Sequence, residues 1–176
     1  MGSSDAKNPW YALQVRPRYE SPVAFVLKNK GYETYLPVYT LHRQWSDREV
    51  KIRQPVFPGY LFCRLDMTAR HLPLYTTPGI LRILGIGRAP CPVPEEEVEG
   101  IRRIVESGLT SSSIPAPKEG DWVRLESGPL AGLEGTLLRV RKQRTFVVSV
   151  SLLQRAVAVE VSQTSVRRIG AARRPA

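Results

Sequence analysis

Cysteine and histidine are scarce: the 176 residues hold two of each, Cys63 and Cys91, His42 and His71. The cysteines have no neighbours at metal-ligand spacing, so neither a disulfide framework nor a structural zinc site is expected, and a reducing compartment keeps both as thiols. Cys63 lies inside the apolar run 61–65 and reads as core. With two isolated imidazoles, no Gly-rich phosphate loop ending in Lys-Ser or Lys-Thr, and no nucleophile in a recognisable setting, nothing in the chain assembles a catalytic constellation. The reading is a non-enzyme without metal or cofactor. No apolar run approaches the ~18 residues that a membrane span requires, and the polar residues 1–9 lack the apolar centre of a signal peptide. A cytoplasmic monomer with no membrane partner is the expectation.

Acidic residues are also in short supply. Lys and Arg number 26 against 16 Asp and Glu, a formal charge of +10 and a pI near 10.1. Such an excess favours a polyanionic neighbour, nucleic acid or an acidic protein surface. Apolar residues at 42% are enough for a packed core. Residues 107–118 read Ser-Gly-Leu-Thr-Ser-Ser-Ser-Ile-Pro-Ala-Pro-Lys, small and polar without periodicity. They suggest a flexible linker at 109–117 between domains at 10–108 and 118–170, with disordered ends at 1–9 and 171–176. Residues 1–108 carry a net +4 and 109–176 a net +6, so the smaller half is the more densely basic.

In the first half, residues 10–15 form an apolar strand leading into Arg16-Pro17-Arg18. A helix follows, with Ser21 as N-cap, Pro22 in the first turn, Val23, Val26 and Leu27 on the buried face, and Gly31 as stop. Residues 32–41 suggest a strand broken at Pro37, and the polar 42–48 a hairpin tip from which 49–54 return. Strands at 60–65 and 80–84 flank a short helical piece near 67–72 that Pro73 should end. The clearest helix is 94–107: Pro94 opens it, Glu95, Glu96 and Glu97 complement its positive end, Val98, Ile101 and Val105 share a face, and Gly108 stops it. The carboxylates of 95–99 suit that helix start better than a metal, since no histidine is near.

The second half has no helical period. Short strands at 121–125, 135–140, 145–151, 156–161 and 165–168 suggest a small closed barrel, with Phe146, Val148 and Val150 facing its core and Thr145, Val147 and Ser149 facing outward. Residues 139–144 place four cations in six positions at a hairpin tip, either a solvated loop or a contact for RNA or an acidic partner.

Two motifs are specific. One runs Trp10-Tyr11-Ala12-Leu13, Pro55-Val56-Phe57-Pro58-Gly59-Tyr60-Leu61-Phe62, Thr77-Pro78-Gly79-Ile80 and Pro92-Val93-Pro94. In that order it resembles the N-terminal domain of the NusG superfamily. The other, Gly120-Asp121-Trp122-Val123 followed by Gly128-Pro129-Leu130-Ala131-Gly132-Leu133-Glu134-Gly135, resembles the KOW motif. The resemblance implies an α+β chain: an α/β N-terminal domain with a mainly antiparallel sheet, then a five-stranded SH3-like barrel. Residues 43–48 and 57–62 look more like the specialised paralogues, the UpxY-type antiterminators and RfaH, than like housekeeping NusG.

What the resemblance implies for function is transcription elongation or antitermination. Tyr11, Phe57, Pro58, Gly59, Tyr60 and Phe62 would form a hollow for the RNA polymerase clamp, with Phe57 and Tyr60 as surface rings. Arg16, Arg18, Lys28, Lys30, Arg43, Arg48, Lys51 and Arg53 would meet non-template DNA or nascent RNA. The KOW residues Gly120, Asp121, Gly128, Pro129, Gly132 and Gly135 would shape a domain that recruits a ribosomal protein or termination factor. Three glycines and Pro129 oppose refolding of that segment into one helix. A ribosome-associated RNA-binding KOW protein is the alternative, and a nucleic-acid enzyme a third class.

Overall fold

A computed structural model describes residues 8–45, 48–68, 72–140, 143–161 and 166–171. The expected disordered ends fall largely outside them. In chain order the elements are β1 (Trp10–Val15), α1 (Glu20–Asn29), β2 (Thr34–Tyr35), β3 (Val38–Trp45), β4 (Arg48–Pro55), β5 (Tyr60–Arg64), α2 (Leu72–Tyr75), β6 (Ile80–Ile83), β7 (Gly85–Ile86), β8 (Ala89–Pro90), β9 (Pro92–Val93) and α3 (Glu95–Glu106). There follow β10 (Ser111–Pro115), β11 (Asp121–Leu125), β12 (Glu134–Val140), β13 (Gln143–Val150), a 3-10 turn (Ser151–Leu153), β14 (Arg155–Glu160) and β15 (Val166–Ala171). The chain divides into two compact units, Met1–Leu36 with Phe57–Glu95, and Pro37–Val56 with Glu96–Ala176.

The first unit is built on an antiparallel sheet in the order β2-β5-β1-β6, with β9 also paired to β1. Tyr11, Leu13 and Val15 alternate along β1, Leu61 and Cys63 along β5, and α1 and α2 cover them with Val23, Leu27 and Leu74. Each fully buried aliphatic side chain here contributes roughly 2 kcal/mol of transfer free energy. Helix α1 begins two residues earlier than a Ser21 cap implies, at Glu20 with Tyr19 as N-cap, and the Glu20 carboxylate in its first turn accepts the Gly59 N–H at 2.7 Å. The shift puts Ala24, with Val23 and Leu27, against the core. Pro73 lies inside α2 instead of ending a helix; in a first turn its missing N–H costs nothing.

The second unit holds the two-stranded ribbon β3–β4, helix α3, and a six-stranded antiparallel sheet ordered β10-β14-β13-β12-β11-β15. The expected hairpin is present, but its ladder runs from Val38↔Pro55 through to Trp45↔Arg48, so residues 42–45 and 48 belong to its strands and not to the tip expected at 42–48. Four expectations are corrected. The strands form an open path rather than a closed five-stranded barrel: among the described residues β10 and β15 are its two ends and do not pair. The supposed linker contains β10, held on β14 from Ser111↔Val159 to Pro115↔Arg155 because an Ala/Val strand offers backbone groups that need partners. Val147 does not face water; it is buried with Ala156 and Ala158, while Phe146, Val148 and Val150 are buried as well. On α3, Ile104 joins Val98 and Ile101 in burial where Val105 was expected.

Candidate functional site

The sequence 57–60 folds as a tight turn, closed by Tyr60 N–H to Phe57 O at 3.1 Å. Gly59 has φ +83°, and a Cβ there would meet only Val15 O at 3.7 Å, so left-handed backbone and not lack of room selects glycine. Its carbonyl accepts the Val15 N–H at 2.8 Å and its N–H goes to buried Glu20, so β1 and α1 both clamp the bend.

The rings around this bend divide sharply. Phe57 (2% exposed) stands edge-on to Phe62 (0%), centroids 6.3 Å apart, and Tyr35 stacks on Phe62 at 6.2 Å. Tyr11 is also buried. The expectation that Phe57 is a surface ring is therefore corrected: the turn directs it into the core. Pro58 is exposed, and Gly59 and Tyr60 are partly exposed.

Arg64, one strand-length further, organises the other end of β5. Its guanidinium lies 4.3 Å from the Trp10 ring centroid, donates to Asn8 O at 2.7 Å and Glu95 Oε1 at 2.5 Å, and has Nε 3.2 Å from Glu33 Oε2. Burial works against its charge, but the hydrogen bond to Glu95 and the ion pairing with Glu95 and Glu33 outweigh that, and its pKa is raised. Burial beside Glu33 pushes the Cys63 thiol up to about 12, so it is an inert core group.

The eight candidate phosphate contacts fall into two groups. Arg16, Arg18, Lys28 and Lys30 are exposed in the first unit. Lys30 is already used, donating to Pro73 O and Thr77 Oγ1 at 2.8 Å each, which ties α1 to α2. Lys51 and Arg53 are exposed on β4, two residues apart and so on one face of the ribbon, while the side chains of Arg43 and Arg48 lie outside the described residues. Two exposed rings close to the first group escape a sequence reading. Tyr19 (42% exposed) lies against Gly79, where a Cβ would stand 2.5 Å from its Cδ1, and Arg16 N–H donates to Gly79 O at 2.8 Å. Tyr75 (61% exposed) precedes that same turn. The adjacency of Tyr19 to Arg16-Pro17-Arg18 was the available signal.

In the second unit the KOW glycines serve different ends. Gly132, φ +85°, turns the chain so that its N–H reaches Leu125 O at 2.7 Å. At Gly135 a Cβ would lie 2.5 Å from Val147 O and 2.8 Å from Phe146 Cζ, so the neighbouring strand needs the space. Gly120 likewise faces Thr136, while Gly128, with positive φ, and Pro129 stand in the β11–β12 connection. Asp121 pairs with Arg168 at 3.0 Å, and Glu134 pairs with Arg124. Helix α3 meets the sheet through Glu97, which accepts from Ser151 N (3.2 Å) and Oγ (2.8 Å), through Gly100 against Val148, and through Arg103 to Ala131 O at 2.7 Å. Burial raises the Glu97 pKa, and the Ser151 hydrogen bonds counter it only partly. The acidic run thus has protein partners, and among the described residues no group of three or more ligating side chains is placed to hold a metal. No described helix is long and apolar enough to cross a membrane.

A mixed α/β unit with a clamped Pro-Gly bend is followed along the chain by an antiparallel sheet carrying a glycine turn, a two-part α+β architecture. The family model described as transcription termination factor nusG matches residues 8–102. Transcription termination/antitermination protein NusG of Thermus thermophilus is 34% identical over 89% of this chain and 96% of its own length. The protein of that name from Pasteurella multocida is 27% identical over 96% of this chain and 99% of its own. The chain belongs to the NusG family of transcription termination/antitermination proteins. A solved structure on domain interaction in Thermotoga maritima NusG shares the fold, with TM-score 0.50 at 20% identity, over 92% of this chain and 97% of that one.

Proposed function

We propose that the protein binds the clamp of RNA polymerase through the bend at Pro58, Gly59 and Tyr60, suppresses pausing or termination, and recruits a ribosomal protein or termination factor through its KOW segment. The supporting observation is the bend itself, fixed by Glu20 and Val15 so that Tyr60 reaches the surface without strain. Phe57 and Phe62, edge-on to each other in the core, back it from within. No chemistry is needed: preferential binding to the elongating state shifts the balance away from the paused one. Arg16, Arg18 and Lys28, with Tyr19 and Tyr75 as stacking rings, and Lys51 and Arg53 on the ribbon are the groups we propose for non-template DNA or nascent RNA. The reading as a specialised paralogue rests on residues 43–48 and 57–62.

Binding of purified core polymerase to the full chain tests this directly, followed by elongation through a pause site with and without the protein. Tyr60→Ala should weaken polymerase binding by about 2 kcal/mol. An unchanged affinity in the folded variant removes the bend from the interface.

A further inference from the structure

β10 is a strand with the composition of a linker. Its five residues, Ser-Ser-Ser-Ile-Pro, contain one apolar side chain packed against the core, Ile114, which joins Val147, Ala156 and Ala158. Pro115, opposite Arg155, has no N–H to give. The strand it covers is different in kind. In β14, Ala156, Val157, Ala158 and Val159 are all buried, so both faces are apolar and the backbone edge toward β10 must find partners. On the far side β14 is held by a six-residue register with β13, from Thr145↔Glu160 to Val150↔Arg155. A well-anchored acceptor edge is thus capped by a poorly anchored donor, and local preference and tertiary pairing disagree at this segment. Gly108, φ +70° with open space around it, stands three residues before β10 as a ready pivot.

We propose that β10 is an exchangeable strand, and that the β14 edge is the docking site for an extended segment of a partner protein. The occupant is defined by the register it replaces. It runs antiparallel to β14, presents small side chains opposite Val157, Ala158 and Val159 and one β-branched apolar side chain opposite Ala156, and gains its affinity from main-chain hydrogen bonds. The ends of β14, Arg155 and Glu160, are exposed and of opposite sign, so the occupant need carry no net charge. Displacement returns residues 109–117 to the linker that their composition describes, lengthening the tether as the partner docks. This deepens the reading of the KOW segment as a recruiting module, and it does not depend on polymerase binding.

The test uses the full chain and a labelled peptide of its own residues 109–117 as probe, followed by fluorescence anisotropy and amide hydrogen exchange. In the unaltered protein, the amides of Ser112, Ser113 and Ile114 should exchange at least tenfold faster than those of Phe146–Val148. Ile114→Ser, which removes the apolar anchor, should bind the peptide at least tenfold more tightly than the unaltered chain, and the peptide should restore protection at 156–159. Exchange at β10 as slow as at β13 overturns the proposal however the variant behaves. So does a folded variant that ignores the peptide, or one that instead doubles in mass, which would make a second copy the occupant.

Discussion

Arg64 and Glu97 are both charged side chains drawn away from water, and the chain treats them in opposite ways. Arg64 is 7% exposed, yet two carboxylates, a main-chain carbonyl and an indole face surround its cation. Glu97 is half-buried, and its hydrogen bonds come from neutral donors, the Ser151 N–H and hydroxyl, with Glu96 adding repulsion. In the first case partners outweigh desolvation and the charge is secured; in the second, burial prevails and the proton is favoured. Exposure alone therefore does not tell which buried ion is comfortable. The sign and number of its partners do.

The contrast is broken most directly at Arg64. Arg64→Met keeps the stem but strands Asn8 O and leaves Glu33 and Glu95 without their common cation, so we expect a loss of about 3 kcal/mol in urea unfolding. Loss below about 0.5 kcal/mol would show that the cluster is ornamental. Arg64→Lys sharpens the point. It preserves charge but cannot reach two carboxylates and a carbonyl at once, and it should cost about 1.5 kcal/mol. If lysine is fully tolerated, charge and not the planar fork is what the site needs.

How far this was legible beforehand follows the same logic. β1 and β11 match their sequence readings residue for residue, since their apolar residues and bounding turns need only local chemistry. The KOW turn was legible because Gly132 must take positive φ. By contrast, nothing near Glu20 announces that it caps a turn 39 residues away, so the local sequence points to Ser21 as the cap of α1. Nor does Ser-Ser-Ser-Ile-Pro announce a strand; β10 exists through the needs of β14. At the candidate site the bend at Gly59 was readable, but the inward direction of Phe57 depends on Phe62, itself stacked on Tyr35, which meets it only in the folded sheet.

The smallest effect is the most diagnostic, because it is a matter of sign. A carboxyl whose folded pKa lies above its unfolded value binds its proton more tightly in the native state, so ionising it costs stability. The Glu97 contribution is therefore fully present below the ordinary carboxylate range and is lost as pH rises through the raised value; acidification across that window should stabilise α3 on its sheet. Glu97→Gln keeps an acceptor for Ser151 and removes the ionisation. At neutral pH it should be neutral or stabilising by less than about 1 kcal/mol, and the slope of stability against pH in that window should turn more positive than in the parent. Urea midpoints from pH 4 to 7 for parent and variant measure the difference. Should the variant instead lose stability at neutral pH, then the ionised carboxylate holds Ser151 better than a neutral amide does, and the distinction drawn between Arg64 and Glu97 fails.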